Sequence, residues 1–420
     1  SMAAAARGPT FRARHVAAVA GLAWLAGVSL LSCAGGPGVV TAPVPVPRPP
    51  DLDWTLFLIG DAGKPEAGDP VLAALARLAG VAPSRSTVVF LGDNIYPAGL
   101  PDSTEPTRPE AERRLRAQLG VATRSGAPAI MLPGNHDWME GREGGWEAVR
   151  RQERMVVREG QGLVEYLPGD GCPGPVVRDL GNSLRVVALD TQWWLHRGPK
   201  PGDGSACGAD TREEVIAGLQ AALEGAGGRA VVVAGHHPLA SGGRHGGYFT
   251  PRQHLFPLTE VASWAWLPLP VIGSLYPAAR RLGISSQDLT SRGYRALVAS
   301  FDSATAGRQP LAWAGGHEHT LQVLEGGAAR YQLVSGTGYW GHASDAGWLD
   351  PTRYASSRGG FMRIDVLADG RIRLGVVEVA ADGSDREGFS MYLRGAVARG
   401  GGPRGPFSDP AVAQYLDMLR

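Results

Sequence analysis

Five short apolar runs in this chain each end in residues that can hold a cation or move a proton. WTLFLIGD ends at Asp61, and TVVFLGDN ends at Asp93 and Asn94, with Tyr96 three positions past the acid. AIMLPGNHD supplies Asn135, His136 and Asp137, RAVVVAGHHP supplies His236 and His237, and LAWAGGHEH supplies His317 and His319. One such residue at a strand end is equally well a cap or a satisfied core group. Five clusters converging at one sheet edge mean more. Hydrolysis at a two-metal centre needs several deprotonated donors gathered from distant sequence, one of them a carboxylate able to bridge ions about 3.5–4 Å apart. These residues could therefore carry out metal-assisted hydrolysis.

The elements that would position them alternate from residue 53 onward. Helix starts fall between the apolar runs: Asp69-Pro70 precedes VLAALARLAG, an N-cap followed by proline at the first position, and Thr211-x-x-Glu214 forms a capping-box pattern ahead of VIAGLQAAL. Strand and helix repeated in this way predict a layered α/β fold with the sheet buried. In such folds ligands bind at the carboxyl ends of the strands, where every one of these polar clusters falls. SLRVVALD is a further strand ending at Asp190, and YQLVSGTG, GFMRIDVL and RIRLGVVEV read as a second sheet. The stretch at about 250–310 interrupts the pattern as an insert. Its uncharged segment from Val261 to Ala279 is broken by Pro268, Pro270 and Pro277, which argues against a spanning helix. Two readings of it stand: a lid or added packing face, and a lipid-facing surface. No internal repeat or heptad run is present.

The 420 residues, 44% hydrophobic, are ample for a sizeable core. Lys plus Arg (41) balances Asp plus Glu (40), so no overall field draws the chain to nucleic acid. Ser1 ahead of Met2 reads as a cloning scar. Arg7, Arg12 and Arg14 then precede an uncharged run from Val16 to Leu31 and the end Leu30-Leu31-Ser32-Cys33, the shape of a secretory signal over 1–33. This end is similar to the bacterial lipobox, in which Cys33 would carry lipid. A single membrane anchor is the alternative, although the run is short for one. Both readings place the rest of the chain outside the cytoplasm, as an exported, membrane-anchored lipoprotein on the periplasmic side or the cell surface. Residues 34–52 are Pro-rich and read as an extended tether, 53–400 as the catalytic domain and 401–420 as a tail. Cys172 and Cys207 are then an even pair in an oxidising compartment, expected as a disulfide rather than two free thiols.

Taken together, the blocks resemble the calcineurin-like metallophosphoesterases, whose signature runs D-x-H, G-D-x-x, G-N-H-[DE], H and G-H-x-H. GDNIY, GNHD, VAGHHP and GGHEH match as they stand. GDAG does not, because Gly63 replaces the histidine. The purple acid phosphatase branch also lacks that histidine and draws a tyrosine from its GDxxY block, where Tyr96 stands. VAGHHPLASGGRHGG is similar to the corresponding segment of the small tartrate-resistant members, including His245 nine residues after His236. The resemblance covers about residues 53–250 and 311–380.

The resemblance implies a layered α/β/β/α sandwich with its metal site at the carboxyl ends of the strands. The first metal would take Asp61, Tyr96, His319 and a bridging Asp93; the second would take Asn135, His236, His317 and the same Asp93. Two carboxylates and a phenolate suit Fe(III), while an amide and two imidazoles suit a divalent Fe, Zn or Mn. The reaction implied is in-line attack of a metal-bound hydroxide on the phosphorus of a small phosphomonoester, with His136 and His245 as proton donor and phosphate contact. Asp137 would orient His136 or its loop. Phosphodiester hydrolysis is the alternative on the same core, and a surface-binding lipoprotein on a dead scaffold is the other class. His237, His254 and His342 read as surface or structural histidines. Trp138, Trp193 and Trp194 either wall the cleft or pack the core. Membrane contact would come through the lipid at Cys33 and the Val261 to Ala279 segment.

Overall fold

The computed structural model describes residues 43–260, 262 and 264–394. The signal segment at 1–33, the first part of the tether and the tail at 401–420 lie outside the described residues. In chain order the strands are β1 (Leu52–Ile59), β2 (Ser86–Phe90), β3 (Ala129–Met131), β4 (Val164–Tyr166), β5 (Val176–Leu180), β6 (Leu184–Ala188) and β7 (Ala230–Ala234). They continue with β8 (Ala312–Gly315), β9 (Leu321–Glu325), β10 (Tyr331–Ser335), β11 (Thr352–Ser356), β12 (Gly360–Leu367), β13 (Ile372–Val379) and β14 (Asp385–Leu393). The helices are α1 (Pro70–Ala79), α2 (Arg108–Ser125), α3 (Gly145–Glu159), α4 (Thr191–Leu195), α5 (Arg212–Glu224), α6 (Pro251–Leu255), α7 (Leu275–Arg281) and α8 (Arg292–Thr305).

The strands form two seven-stranded sheets, in the orders β14-β13-β12-β1-β2-β3-β4 and β11-β9-β10-β8-β7-β6-β5. Strand alternation explains how they stack. Leu56 and Leu58 of β1, Val89 of β2, Val232 and Ala234 of β7 and Ala312 and Ala314 of β8 meet in one buried cluster between the sheets. Their sequence neighbours Phe57, Ile59, Val88, Phe90, Val231, Val233 and Trp313 turn outward against helices. Both faces of each sheet are covered, so the central strands are apolar at every position rather than at every second one. The result is the α/β/β/α sandwich expected from the sequence. Asp69 caps α1 by accepting from Val71 N (2.9 Å) and Leu72 N (3.2 Å), and the Thr211 capping box starts α5. Cys172 and Cys207 are joined as a disulfide.

Two expectations change. The C-terminal strands do not form a sheet of their own. β10 lies between β8 and β9 in one sheet, whereas β12 pairs antiparallel with β1, Leu56 opposite Ile364, and carries β13 and β14 into the other. Alternation specifies which face is buried but not which strand is the partner. The stretch at 250–310 is also not all insert, because α8 buries Tyr294, Leu297 and Phe301, and Phe301 packs on Trp313 of β8 at 4.9 Å between ring centroids. The peripheral part is α6, α7 and their connections. There the apolar residues face water, Trp264 being 83% and Val271 86% exposed. Among the described residues no helix is long and apolar enough to cross a membrane.

Candidate metal centre

β1, β2 and β3 are parallel neighbours in one sheet, and β7 and β8 are parallel neighbours in the other. Their carboxyl ends therefore bring Asp61, Asp93, Asn135, His236 and His317 to one edge of the sandwich. Asp61 (φ 58°), Asp93 (φ 55°) and His317 (φ 66°) all sit in the left-handed region, which costs an ordinary L-residue about 1–2 kcal/mol. Such strain persists only where the surroundings over-determine it. Asp61 N donates to Gly92 O (2.9 Å), and His317 N donates to Asp61 Oδ2 (2.7 Å). Gly63 is needed for the same compactness: a Cβ there would lie 2.5 Å from Asp93 O and 2.7 Å from Ile95 N. The loop after β1 can approach the loop after β2 only without a side chain at 63, so the histidine of the D-x-H pattern has no room.

Two donor clusters share Asp93. In the first, the Tyr96 hydroxyl donates to Asp61 Oδ1 (2.9 Å) and lies 3.3 Å from His319 Nε2. In the second, Asn135 Oδ1 lies 2.9 Å from His236 Nε2 and 3.0 Å from His317 Nδ1. Asp93 Oδ1 accepts from His136 N (2.8 Å), while Oδ2 is buried without a hydrogen-bond partner among the described residues and stands 3.4 Å from His236 Nε2. The outer ring nitrogens fix the tautomers. His236 Nδ1 donates to Leu91 O (2.9 Å) and His317 Nε2 to Gln287 O (2.8 Å), which turns the other ring nitrogen of each toward Asn135. His237 has Thr191 Oγ1 on one nitrogen (2.8 Å) and Gln287 Oε1 on the other (2.9 Å), so neither is left for a metal.

The electrostatics fit a cation. Asp61 and Asp93 are fully buried, and burial pushes the Asp61 carboxyl up to about 6. Burial would raise Asp93 too, but the imidazoles of His236 and His136 beside it hold it well below the carboxylate range. His236 is lifted to about 9, because its burial is outweighed by Asp93. Burial keeps His317 and His319 neutral, the form a metal ligand requires. Buried acids outnumber the positive charge beside them, the donors converge, and one carboxylate oxygen has no hydrogen-bond partner among the described residues. This donor set suits two metal ions.

The proposed proton donors flank the clusters. His136 Nδ1 is 2.6 Å from Pro97 O, and its ring stands 4.5 Å from that of Tyr96. His245 packs 4.2 Å from His317 and bonds through Nδ1 to Asp288 Oδ1 (3.0 Å), which Arg280 also clamps. Asp137 accepts from Asn94 N (3.0 Å), Ile95 N (3.2 Å) and Gly134 N (2.8 Å); it ties the loop after β2 to the loop after β3. Trp138, Trp193 and Trp194 are buried, the first with its Nε1 on Asp190 Oδ2 (2.8 Å). They pack in the core, and Trp194 also lines a cavity with Arg212, Ile284 and Arg292 that includes none of the proposed ligands. His254 bonds Ser274 within the insert, in keeping with a structural role.

Four residues at the site escaped the sequence reading. Gln287, Asp288 and Arg280 reach it from the stretch taken as an insert, and His342 from the loop after β10 lies 3.3 Å from the Tyr96 hydroxyl instead of at the surface. None belongs to a recognisable motif.

No curated protein matches the chain in sequence. Solved structures do match. GAP50, the anchor in the inner membrane complex of Plasmodium, aligns at 16% identity and a TM-score of 0.48, covering 87% of this chain and 95% of its own. The purple acid phosphatase PPD1 of yellow lupin aligns at 13% and 0.45, covering 81% and 53%. A putative 5'-nucleotidase of Staphylococcus aureus aligns at 12% and 0.35, covering 87% and 57%. The chain thus spans little more than half the length of the last two. The family model described as calcineurin-like phosphoesterase matches residues 55–263, the range that holds Asp61 through His245, and the chain carries a calcineurin-like phosphoesterase domain.

Proposed function

We propose that the chain is a binuclear metal-dependent phosphatase of the purple acid phosphatase kind, acting on phosphomonoesters. The observation that carries this reading is the placement of the Tyr96 hydroxyl within 3.3 Å of both Asp61 Oδ1 and His319 Nε2, beside a Gly63 that has no space for an imidazole. Asp61, Asp93, Tyr96 and His319 would hold one ion, preferably Fe(III), and Asp93, Asn135, His236 and His317 a divalent one. Bound there, the ions would lower the pKa of water and neutralise phosphoryl charge. The protein's own groups handle the rest. Pro97 O fixes the His136 ring through Nδ1, leaving Nε2 as the atom that gives the leaving oxygen its proton. Asp288 fixes His245 in the same way, so that its Nε2 is the contact for a phosphoryl oxygen or the second proton carrier. Asp137 keeps the two loops in register. The test is metal analysis of the purified protein together with turnover on paired aryl phosphate mono- and diesters, with and without chelator. Monoester hydrolysis that chelation abolishes is expected. A diester preference would move the assignment within the family, and a protein that binds no metal would return it to a binding lipoprotein.

We also propose that the enzyme works at a lipid surface. The Cys33 segment, read from sequence, would anchor it outside the cytoplasm. The insert presents Trp264, Trp266, Leu267, Val271, Ile272 and Leu275 to solvent, with the exposed Arg281 following on α7. An uncharged, tryptophan-bearing face bordered by an arginine has the chemistry to enter the boundary of an anionic bilayer. In protein lacking residues 1–33, Trp264→Ser/Trp266→Ser/Leu267→Ser should lose flotation with anionic vesicles and keep turnover on a soluble monoester; flotation that the three substitutions leave unchanged would remove the insert from this account.

A further inference from the structure

The donors around Tyr96 number one more than the family resemblance supplies. His342 Nε2 lies 3.3 Å from the Tyr96 hydroxyl, and the ligand-capable atoms of Asp61, His319 and His342 all fall within 4.8 Å of one another. The ring is not a chance neighbour. It lies against His319 at 3.8 Å between centroids, and Tyr339 stacks on it at 4.3 Å and 22°. Tyr339 also brings its hydroxyl to His342 Nδ1 at 2.7 Å. An outer nitrogen bonded to an oxygen, an inner nitrogen facing the donor cluster and a ring held flat between aromatic neighbours are the marks of an oriented ligating histidine.

We propose that His342 is a fifth protein donor to the ion held by Asp61, Asp93, Tyr96 and His319, entering through Nε2. This deepens, and rests on, the two-metal reading above. It also accounts for Gly63. The backbone of residues 93–95 leaves no room for a side chain there, so the imidazole missing from the loop after β1 is supplied from the loop after β10. With five protein donors, a six-coordinate ion keeps one exchangeable position instead of two. His342 thereby restricts what solvent or substrate can reach on that ion, and it strengthens the ion's retention.

The test uses the whole chain loaded with iron in air, as wild type, His342→Ala, His342→Gln and Tyr339→Phe. Three quantities are read: iron per chain after a chelator challenge, the visible band that depends on Tyr96, and the melting temperature of the metal-free protein. Losing an outer partner of a ligand costs about 10–100-fold in metal affinity. His342→Ala should therefore lose iron at least about 10-fold more readily and shift the band, Tyr339→Phe should do so to a smaller degree, and added imidazole should restore His342→Ala. The metal-free melting temperature of His342→Gln should stay close to that of wild type while its iron retention falls, which separates a ligand from a packing residue; His342→Ala also loses the ring packed between His319 and Tyr339 and is compared for iron and band, and if it does not fold, His342→Gln gives the same readings. Wild type and His342→Ala alike in iron retention and band would overturn this proposal and leave the two-metal reading intact. Wild type that holds no iron would overturn both.

Discussion

Tyr96→Phe removes one oxygen and keeps the ring. In the metal-free protein that oxygen makes a 2.9 Å hydrogen bond to the buried Asp61 carboxylate, and a hydrogen bond to a charged group contributes about 1.5–3 kcal/mol. Asp61 keeps the 2.7 Å bond from His317 N and has His319 Nε2 at 3.5 Å to take up part of the loss, so the lower figure applies. For a domain of this size, with an unfolding entropy of about 2.1 cal/mol/K per residue, that is a fall of about 2 °C in melting temperature. The loaded protein should respond differently. In the proposed centre the phenolate is one of three anionic donors to the first ion, and its loss should exceed the roughly 10–100-fold that an outer partner costs. Iron retention should therefore fall about 100-fold or more, which is about 2.7 kcal/mol. The visible charge-transfer band should vanish, and turnover should fall at least about 10-fold. The assay is a visible spectrum and metal analysis on aerobically loaded protein, beside metal-free thermal melts. If wild-type protein takes up iron but shows no band that Tyr96→Phe removes, the phenolate argument fails and the purple acid phosphatase assignment fails with it.

Three further outcomes are expected. Asn135→Ala should cut the metal content by about one ion per chain and turnover by about 100-fold or more, with the melting temperature of the metal-free protein little changed; full metal content would remove the second site. Gly63→Ala should lower the retention of both metals, because its Cβ would push on the Asp93 carbonyl at 2.5 Å and so move the shared carboxylate; equal retention would show that the loops can part. Asp190 caps α4 and accepts from Trp138 Nε1, and burial lifts its carboxyl to about 7. A folded pKa raised above the unfolded value of about 4 gives stability that is present below pH 4 and lost as pH rises through 7. Asp190→Asn should therefore melt like wild type at pH 4 and above it at pH 8, and parallel melts across that range check the sign.

How much of this was legible beforehand depends on how far each feature reaches along the chain. GDN, GNHD and GGHEH were readable because a few adjacent residues encode both the strand end and the donor. The left-handed turns at Asp61, Asp93 and His317 lie inside those same blocks. Tyr96 was readable for the same reason, being three residues from Asp93 in one loop. The pairing of β12 with β1 was not, since alternation is satisfied on either sheet and the choice is made across 300 residues of chain. His342 is the clearest case of a hidden feature. Its neighbours Tyr339, Trp340 and Gly341 form no pattern, and only the packing of the loop after β10 against Tyr96 places an imidazole there. The same holds for Gln287 and Asp288, whose contacts with His317 and His245 make part of the apparent insert a wall of the site.

That contrast bears on how substrate scope is set. The donors come from strand ends that the sandwich fixes, whereas Gln287, Asp288, Arg280 and His342 all come from connections outside the two sheets. The chemistry of the centre is thus tied to the fold. Access to it, and the lipid surface proposed beside it, are tied to one peripheral stretch running from α6 to the start of α8. On the function proposed above, a change in that stretch would alter which phosphoester reaches His245 without disturbing Asp93, and so the insert substitutions and the metal-ligand substitutions should separate cleanly in KM and in metal content.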